Sequence, residues 1–402
     1  MQAFGLSEVE LQARGAEWTA REICQQPDVW ERVAASLAAD GSGVARFVAD
    51  LLARTDVRIV LTGAGTSAFI GQCLAPALSA RWQRWVSAVS TTDLVASPGK
   101  WLLPDFPTLL VSFARSGGSP ESVAAFDLTE RLVPDCHHLV ITCNDEGALA
   151  QRARGTTRAR VLVMDEATND RGFAMTSSFS SMLLAAAQTF DLLQREDASA
   201  AAARARDILR KSANLAGELA QAGFERAVFL GSGELAALAR EAALKMLELT
   251  DGKVVAVAET PLGFRHGPKT IVNRKTVVLV FLSNDPYTRR YDLDLLKELR
   301  SDGIAGRVLA LSAQAGPDAG SRAGTRASSG DRASESRGNE ILVADAAHAS
   351  DLELCFPFVL FAQCFAVRQS LALGLRPDTP NAAGIVSRIV RGVSIYPWES
   401  GR

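Results

Sequence analysis

The sequence predicts an α/β protein of two tandem domains, each a parallel sheet with helices on both faces, preceded by a helical segment. Three observations carry that prediction. Short β-branched runs lead into glycine-containing turns and then into helix-forming segments, the pattern of a buried parallel sheet. The same succession occurs twice, displaced by about 168 residues, which reads as an internal duplication. Glycine- and hydroxyl-rich turns follow the strands, at the end where such sheets bind ligands.

Residues 1–50 alternate apolar and charged positions with helical period, for example Val33 and Leu37, then Phe47, Val48, Leu51 and Leu52. Asp40-Gly41-Ser42-Gly43 divides them into separate helices, expected to pack on the domain that follows. In the first domain, 51–196, the strand Arg58–Thr62 enters Gly63-Ala64-Gly65-Thr66-Ser67 and a helix from about Ala68. Leu109–Phe113 is a second strand, leading into Arg115-Ser116-Gly117-Gly118-Ser119-Pro120 and another helix; His138–Cys143 and Arg160–Met164 are two more. An alanine-rich helical bridge spans 197–221. The second domain, 222–380, opens with Ala227–Leu230 and Gly231-Ser232-Gly233, and Thr276–Leu282, Arg307–Leu311 and Glu340–Ala344 echo the other strands. Within it, 312–340 carries no large apolar residue to anchor it in a core and is expected to be a mobile insertion. Residues 381–402 form a C-terminal tail.

With 402 residues, 48% of them hydrophobic, the chain has ample material for two cores. Its 43 basic and 45 acidic residues leave a net charge of −2, so neither nucleic acid nor an anionic membrane is an expected partner. The first residues are charged and amphipathic with no apolar stretch of the secretory kind, and a cytoplasmic location is expected. The strongest apolar run, Leu354–Val367, contains Pro357 and Gln363, falls short of the ~20 residues a bilayer needs, and reads as a buried core or subunit-contact helix. The six cysteines include no CxxC pair, and the adjacent His137 and His138 diverge on a strand; neither set has metal-ligand spacing. Free thiols in a reducing cytosol, with no metal or organic cofactor, are therefore expected.

The chemistry is read from Glu241 to Lys269. Arg240–Leu249 is a run of good helix formers in which Glu241, Lys245 and Glu248 share one face. A solvated salt-bridge face is the plain account of that spacing. After a β-branched run, Val254–Val257, a Pro/Gly turn at Pro261-Leu262-Gly263 delivers His266 beside Gly267-Pro268, so the histidine is positioned by a loop and not by a core. In the first domain, Gly65-Thr66-Ser67, Ser116-Gly117-Gly118-Ser119 and Met175-Thr176-Ser177-Ser178 each offer backbone N–H groups and hydroxyls at a helix start, which suits a phosphate ester. No GxxxxGK[ST] or GxGxxG motif is present, which favours a small monophosphate over a nucleotide. The second domain has Leu282-Ser-Asn-Asp-Pro286 in place of the Ser/Gly turn, so only the first keeps a phosphate-type loop.

Taken together, TGAGTS, SFARSGGSPES, FAMTSSFS, EAALKMLELTDG, ETPLGFRHGP and GLRPDTPNAAGIVSRIVRGVSIYPW resemble the sugar isomerase (SIS) family, most closely its AgaS-type galactosamine-6-phosphate deaminase/isomerase branch. The resemblance implies two tandem three-layer αβα SIS domains acting on a sugar phosphate, and a homo-oligomer in which the HGP histidine enters a neighbouring subunit's site. It is also similar to the isomerase half of glucosamine-6-phosphate synthase. That likeness implies ring opening by His266, proton transfer by Glu248, and an orienting Lys245. The tail position of the synthase lysine is Arg391 here, which keeps charge stabilisation but not a Schiff base. Arg115 adds a cation at the phosphate loop. Cys24 lies in a helical segment and is no glutamine-hydrolysing nucleophile, so ammonia transfer from glutamine is not expected. Asn381 and Arg388 are weaker tail candidates. Two other functions stay open: a ketose/aldose isomerase that releases no ammonia, and a sugar-phosphate sensor without turnover.

Overall fold

A computed structural model describes residues 2–39, 43–314, 339–384, 386 and 392–399. The expected insertion therefore lies largely outside the described residues, as do Arg388 and Arg391. The chain divides into two compact units, one of residues 21–199 with 381–402 and one of residues 1–20 with 200–380. The first fifty residues are thus shared between them. The helix Arg195–Gln221, expected as the bridge, contains the point of division.

A short antiparallel hairpin, β1 (Gln2–Ala3) with β2 (Leu6–Ser7), opens the chain. The front unit then holds β3 (Arg58–Thr62), β4 (Val86–Ala88), β5 (Thr108–Ala114), β6 (Cys136–Thr142) and β7 (Ala159–Val163). They form one parallel sheet in the order β4-β3-β5-β6-β7, with Leu61 beside Val111 and Val111 beside Leu139. The back unit holds β8 (Arg226–Leu230), β9 (Val255–Glu259), β10 (Thr276–Phe281), β11 (Arg307–Ser312) and β12 (Glu340–Leu342). Its order, β9-β8-β10-β11-β12, is the same order in the second copy, again all parallel. The duplication read from sequence is thereby visible as topology: Arg58 and Arg226 begin the first strand of each half, Thr108 and Thr276 the central one.

Among the described residues each sheet has five strands where the sequence reading assigns four. The added strands, β4 and β9, are edge strands; β9 overlaps the β-branched run read at Val254–Val257, and β4 is only three residues long, Val-Ser-Ala. Nothing in so short a run alternates, so no period announces it. The central strands need no alternation either: all positions of β5 and of β10 are buried, since helices cover both faces.

One helix in each unit lies almost wholly in the core. Ser177–Thr189 packs against Gln26–Ala38 and Thr66–Trp82; Asp351–Ala372 packs against Glu234–Leu249. The latter is longer than the apolar run suggests, 22 residues with Pro357 inside it, because the capping box of Ser350 and Glu353 starts it early. By length and composition it resembles a membrane span, yet 94% of its most apolar window is buried within the fold. All six cysteines are free thiols.

Candidate functional site

In a parallel sheet of this order, the crevice for a ligand opens at the carboxyl ends of the two strands from which the connections diverge. In the front unit these are β3 and β5, paired directly through Thr62 and Ser112. The turns that follow them are Gly63–Ser67 and Arg115–Ser119, so the fold brings the first two predicted phosphate loops side by side.

Glycine is dictated in the first turn. A Cβ at Gly63 would lie 2.6 Å from the Ser67 backbone, and Gly65 holds φ +54° with ψ −126° at the start of the helix Thr66–Trp82. Gly231 and Gly233 repeat both constraints in the back unit, Gly233 at φ +57° and ψ −127°. Thr66 and Ser67 occupy the first helical turn and are nearly buried, Ser67 Oγ lying 3.9 Å from Met175 Sδ.

The second turn is built more openly. Arg115 is buried, its guanidinium included, Ser116 is half-buried, and Gly118 is exposed. Gly117 takes φ +63° and passes so close to Gly147 that a Cβ would sit 3.3 Å from the Gly147 Cα. Asn144 Nδ2 donates to the Ser116 carbonyl at 2.8 Å and fixes the turn from the next strand end. Ser119 caps the helix Pro120–Leu132, its Oγ accepting from Ser122 N at 3.3 Å, and Pro120 occupies the first helical position as the sequence implied.

The third predicted loop is a different object. Thr176 and Ser177 are fully buried, and their hydrogen-bonding groups are directed inward. Asp170 accepts from the backbone N–H groups of Thr176, Ser177 and Ser178 at 2.8, 3.0 and 3.0 Å, and from the hydroxyls of Thr176 and Ser178. Ser177 Oγ donates to the Glu22 carbonyl at 2.7 Å. A protein carboxylate thus occupies the place at this helix start that a phosphate would need, which corrects the expectation that Thr176 and Ser177 face a ligand. Asp170 stands six to eight residues before its partners, a separation no capping motif has, so sequence spacing gave no sign of it. Asp170→Ala would strand several buried donors at once; a loss of at least about 2 kcal/mol is expected, measured by urea unfolding.

In the back unit the helix Glu234–Leu249 carries the predicted charged face, but that face is not solvated. Glu241 and Lys245 are completely buried. Lys245 Nζ lies 2.5 Å from Glu248 Oε2 and 3.4 Å from Glu241 Oε1. Burial by itself pulls the lysine pKa down, but the two carboxylates outweigh it and hold it above its ordinary value, so Lys245 stays an ammonium. Glu248, one-quarter exposed, is the member that reaches solvent.

After β9, Thr260 caps the single helical turn Pro261–Phe264, and Phe264 plugs into the apolar core of the back sheet. A Cβ at Gly263 would meet Glu259 Oε1 and Thr260 Oγ1, each at 2.8 Å, and would displace the capping hydroxyl. His266 follows and is exposed. Its loop is tied to the helix Thr288–Asp302 on both sides, by Arg265 to Glu298 at 2.8 Å and by Lys269 to Asp302 at 2.6 Å. Among the described residues no side-chain hydrogen bond joins His266 to Glu248. Asn381 is half-buried in the tail.

The back unit has its own crevice at the corresponding place, a cavity of about 770 Å³ whose lining includes Glu234, Asn284, Asp285, Gln314, His348 and Asp351. Glu234 stands where the front unit has Thr66, and Asp351 begins its helix as Ser177 does. Burial, then the charges of Asp351 and Asp285, raise the Glu234 pKa; burial likewise raises Asp351. A raised carboxylate pKa takes stability away as pH climbs from the ordinary value of 4.5 through the folded value, and nothing below it. Glu234→Gln is therefore expected to raise the melting temperature at neutral pH and leave it unchanged in more acid solution, a comparison for calorimetry.

The family model for the SIS domain matches residues 51–192 and 218–325. D-galactosamine-6-phosphate deaminase AgaS of Escherichia coli is 45% identical over 386 residues, covering 95% of this chain and 96% of that protein. The protein of the same name from Shewanella sp. (strain ANA-3) is 40% identical over 396 residues, covering 98% and 95%. The crystal structure of tagatose-6-phosphate ketose/aldose isomerase from Escherichia coli superposes with a TM-score of 0.83 at 42% identity, over 95% of this chain and 97% of that one.

Proposed function

The chain belongs to the SIS family and to its AgaS-type branch, and from that premise we propose that it is a phosphosugar deaminase/isomerase, converting D-galactosamine 6-phosphate to tagatose 6-phosphate and ammonia. The observation that carries this reading is the Lys245–Glu248 contact: a carboxylate that reaches the surface, held by a buried ammonium. Such a group suits proton transfer between adjacent carbons, because its orientation is fixed while its second oxygen is left for substrate.

The reaction proceeds in three stages. His266 protonates the ring oxygen and takes the proton of the anomeric hydroxyl, giving the open-chain aldehyde. Glu248 takes the C2 proton and returns it to C1 through an enolamine, so the 2-amino aldose becomes a 2-imino sugar. Water adds to the imine carbon and ammonia leaves, giving the ketose phosphate. Gly65, Thr66, Ser67, Arg115, Ser116, Gly117, Gly118 and Ser119 hold the phosphate; Thr176 and Ser177, committed to Asp170 and Glu22, take no part. Arg391 balances oxyanion charge. The exposure of His266 fits a homo-oligomer in which it serves a neighbouring copy, and the six free thiols fit a reducing compartment.

A second reading has support in the name of the isomerase whose structure superposes so closely: aldose–ketose interconversion without loss of nitrogen. One assay separates the two. The purified protein is incubated with galactosamine 6-phosphate, glucosamine 6-phosphate and tagatose 6-phosphate, and ammonia and sugar products are measured. Ammonia from galactosamine 6-phosphate is the expected result. Aldose formed from tagatose 6-phosphate with no ammonia from either amino sugar would favour the plain isomerase; no turnover of any would overturn both.

A further inference from the structure

We infer that Glu130, Cys136 and His138 of the front unit form a binding site for a divalent cation of the zinc class. Neither the cysteines nor the histidines alone have metal-ligand spacing; the fold supplies the third group. Cys136 and His138 stand two apart on β6 and so share one face of the strand. That face meets the last turn of the helix Pro120–Leu132, where Glu130 lies.

The three donor atoms lie within 4.8 Å of one another. His138 Nε2 is 3.0 Å from Glu130 Oε1, and Cys136 Sγ is 3.4 Å from the same oxygen. Around a tetrahedral zinc, with bonds of about 2.0–2.3 Å, donor atoms stand roughly 3.3–3.8 Å apart. The two separations from Glu130 Oε1 need only small side-chain adjustment to reach that figure, and the third, within 4.8 Å, closes by rotation of the Cys136 side chain.

Three further features favour a cation over a simple polar cluster. His138 is fully buried, and neither ring nitrogen has a hydrogen-bond partner among the described residues; Nε2 is close to the carboxylate but off the angle a hydrogen bond requires. Buried nitrogens without partners are rare, and a metal ion would satisfy one of them. Arg158 holds the other oxygen of Glu130 at 2.8 Å, the outer contact a ligating carboxylate usually has, and Oε1, which accepts from the Cys136 thiol, would exchange that hydrogen bond for the ion as the thiol deprotonates. The Phe126 ring stacks on His138 with centroids 3.9 Å apart and fixes the imidazole plane.

One sulfur, one imidazole and one carboxylate select zinc-like ions over magnesium or calcium. On binding, the Cys136 S–H bond breaks, its proton passes to solvent, and the thiolate pair bonds the metal; water completes the fourth corner. The site lies at the amino end of β6, whereas the phosphate turns lie at the carboxyl ends. Its role is to clip the helix Pro120–Leu132 to the sheet, away from the chemistry.

The test uses the whole protein, stripped with a chelator, loaded with Co²⁺ and separately with Zn²⁺, then dialysed. About one metal per chain is expected by elemental analysis, with a thiolate-to-cobalt charge-transfer band and a raised melting temperature for the zinc form. Cys136→Ser should lose the band while Cys24→Ser keeps it. Glu130→Gln, at a partly exposed position, should bind at least about tenfold more weakly, and it serves if Cys136→Ser does not fold. Failure of the wild-type chain to retain metal, or a band that survives Cys136→Ser, would overturn the assignment.

Discussion

Glu248→Gln is expected to lower turnover by about 10²–10⁴-fold with phosphate-ester affinity nearly unchanged. The amide keeps the size of the side chain and loses the ability to accept the C2 proton. Solvent-deuterium exchange at C2, followed by NMR, reads that step directly and should vanish in the variant. His266→Ala is expected to fall by a similar factor on the cyclic substrate and much less on an acyclic analogue, because ring opening is then bypassed. Wild-type exchange in Glu248→Gln would remove the carboxylate from the mechanism. An equal loss on both substrates would remove the ring-opening role from His266.

The largest stability effect is expected at Lys245. Lys245→Met withdraws the ammonium from between Glu241 and Glu248 and leaves the buried Glu241 carboxylate without that cation. Breaking such a pair from one side costs about 3–5 kcal/mol. For a unit of this size that is a fall on the order of 10 °C in melting temperature. Glu241→Leu combined with Lys245→Met removes both charges, and the double variant should recover at least half of the loss. It should not recover activity, because Glu248 no longer has its anchor. If the single and double variants melted together, Glu241 would not be the partner that makes the lysine indispensable.

The large architecture was legible because it is written in runs of several residues. Strands such as Arg58–Thr62 were read to within a residue, and the repeat fixed the second sheet from the first. The charged helix face was found by its spacing, but its burial was not, since i and i+4 pairs look the same whether water or the helix Asp351–Ala372 covers them. The Thr176–Ser177 turn was misread for a related reason. A helix start rich in hydroxyls signals an unsatisfied anion site, and only the fold reveals that Asp170 is the anion. Asn144 was missed because it acts through space on a carbonyl twenty-eight positions away.

The two crevices differ in sign as well as in sequence. Where one copy presents hydroxyls and an arginine, the other has gathered Glu234, Asp285 and Asp351 about a cavity of comparable standing in the fold. On the proposed function, an incoming sugar phosphate would be turned away at one door and admitted at the other. A calorimetric titration with a non-reacting phosphate ester should saturate at one equivalent for each polypeptide, however symmetric the frame.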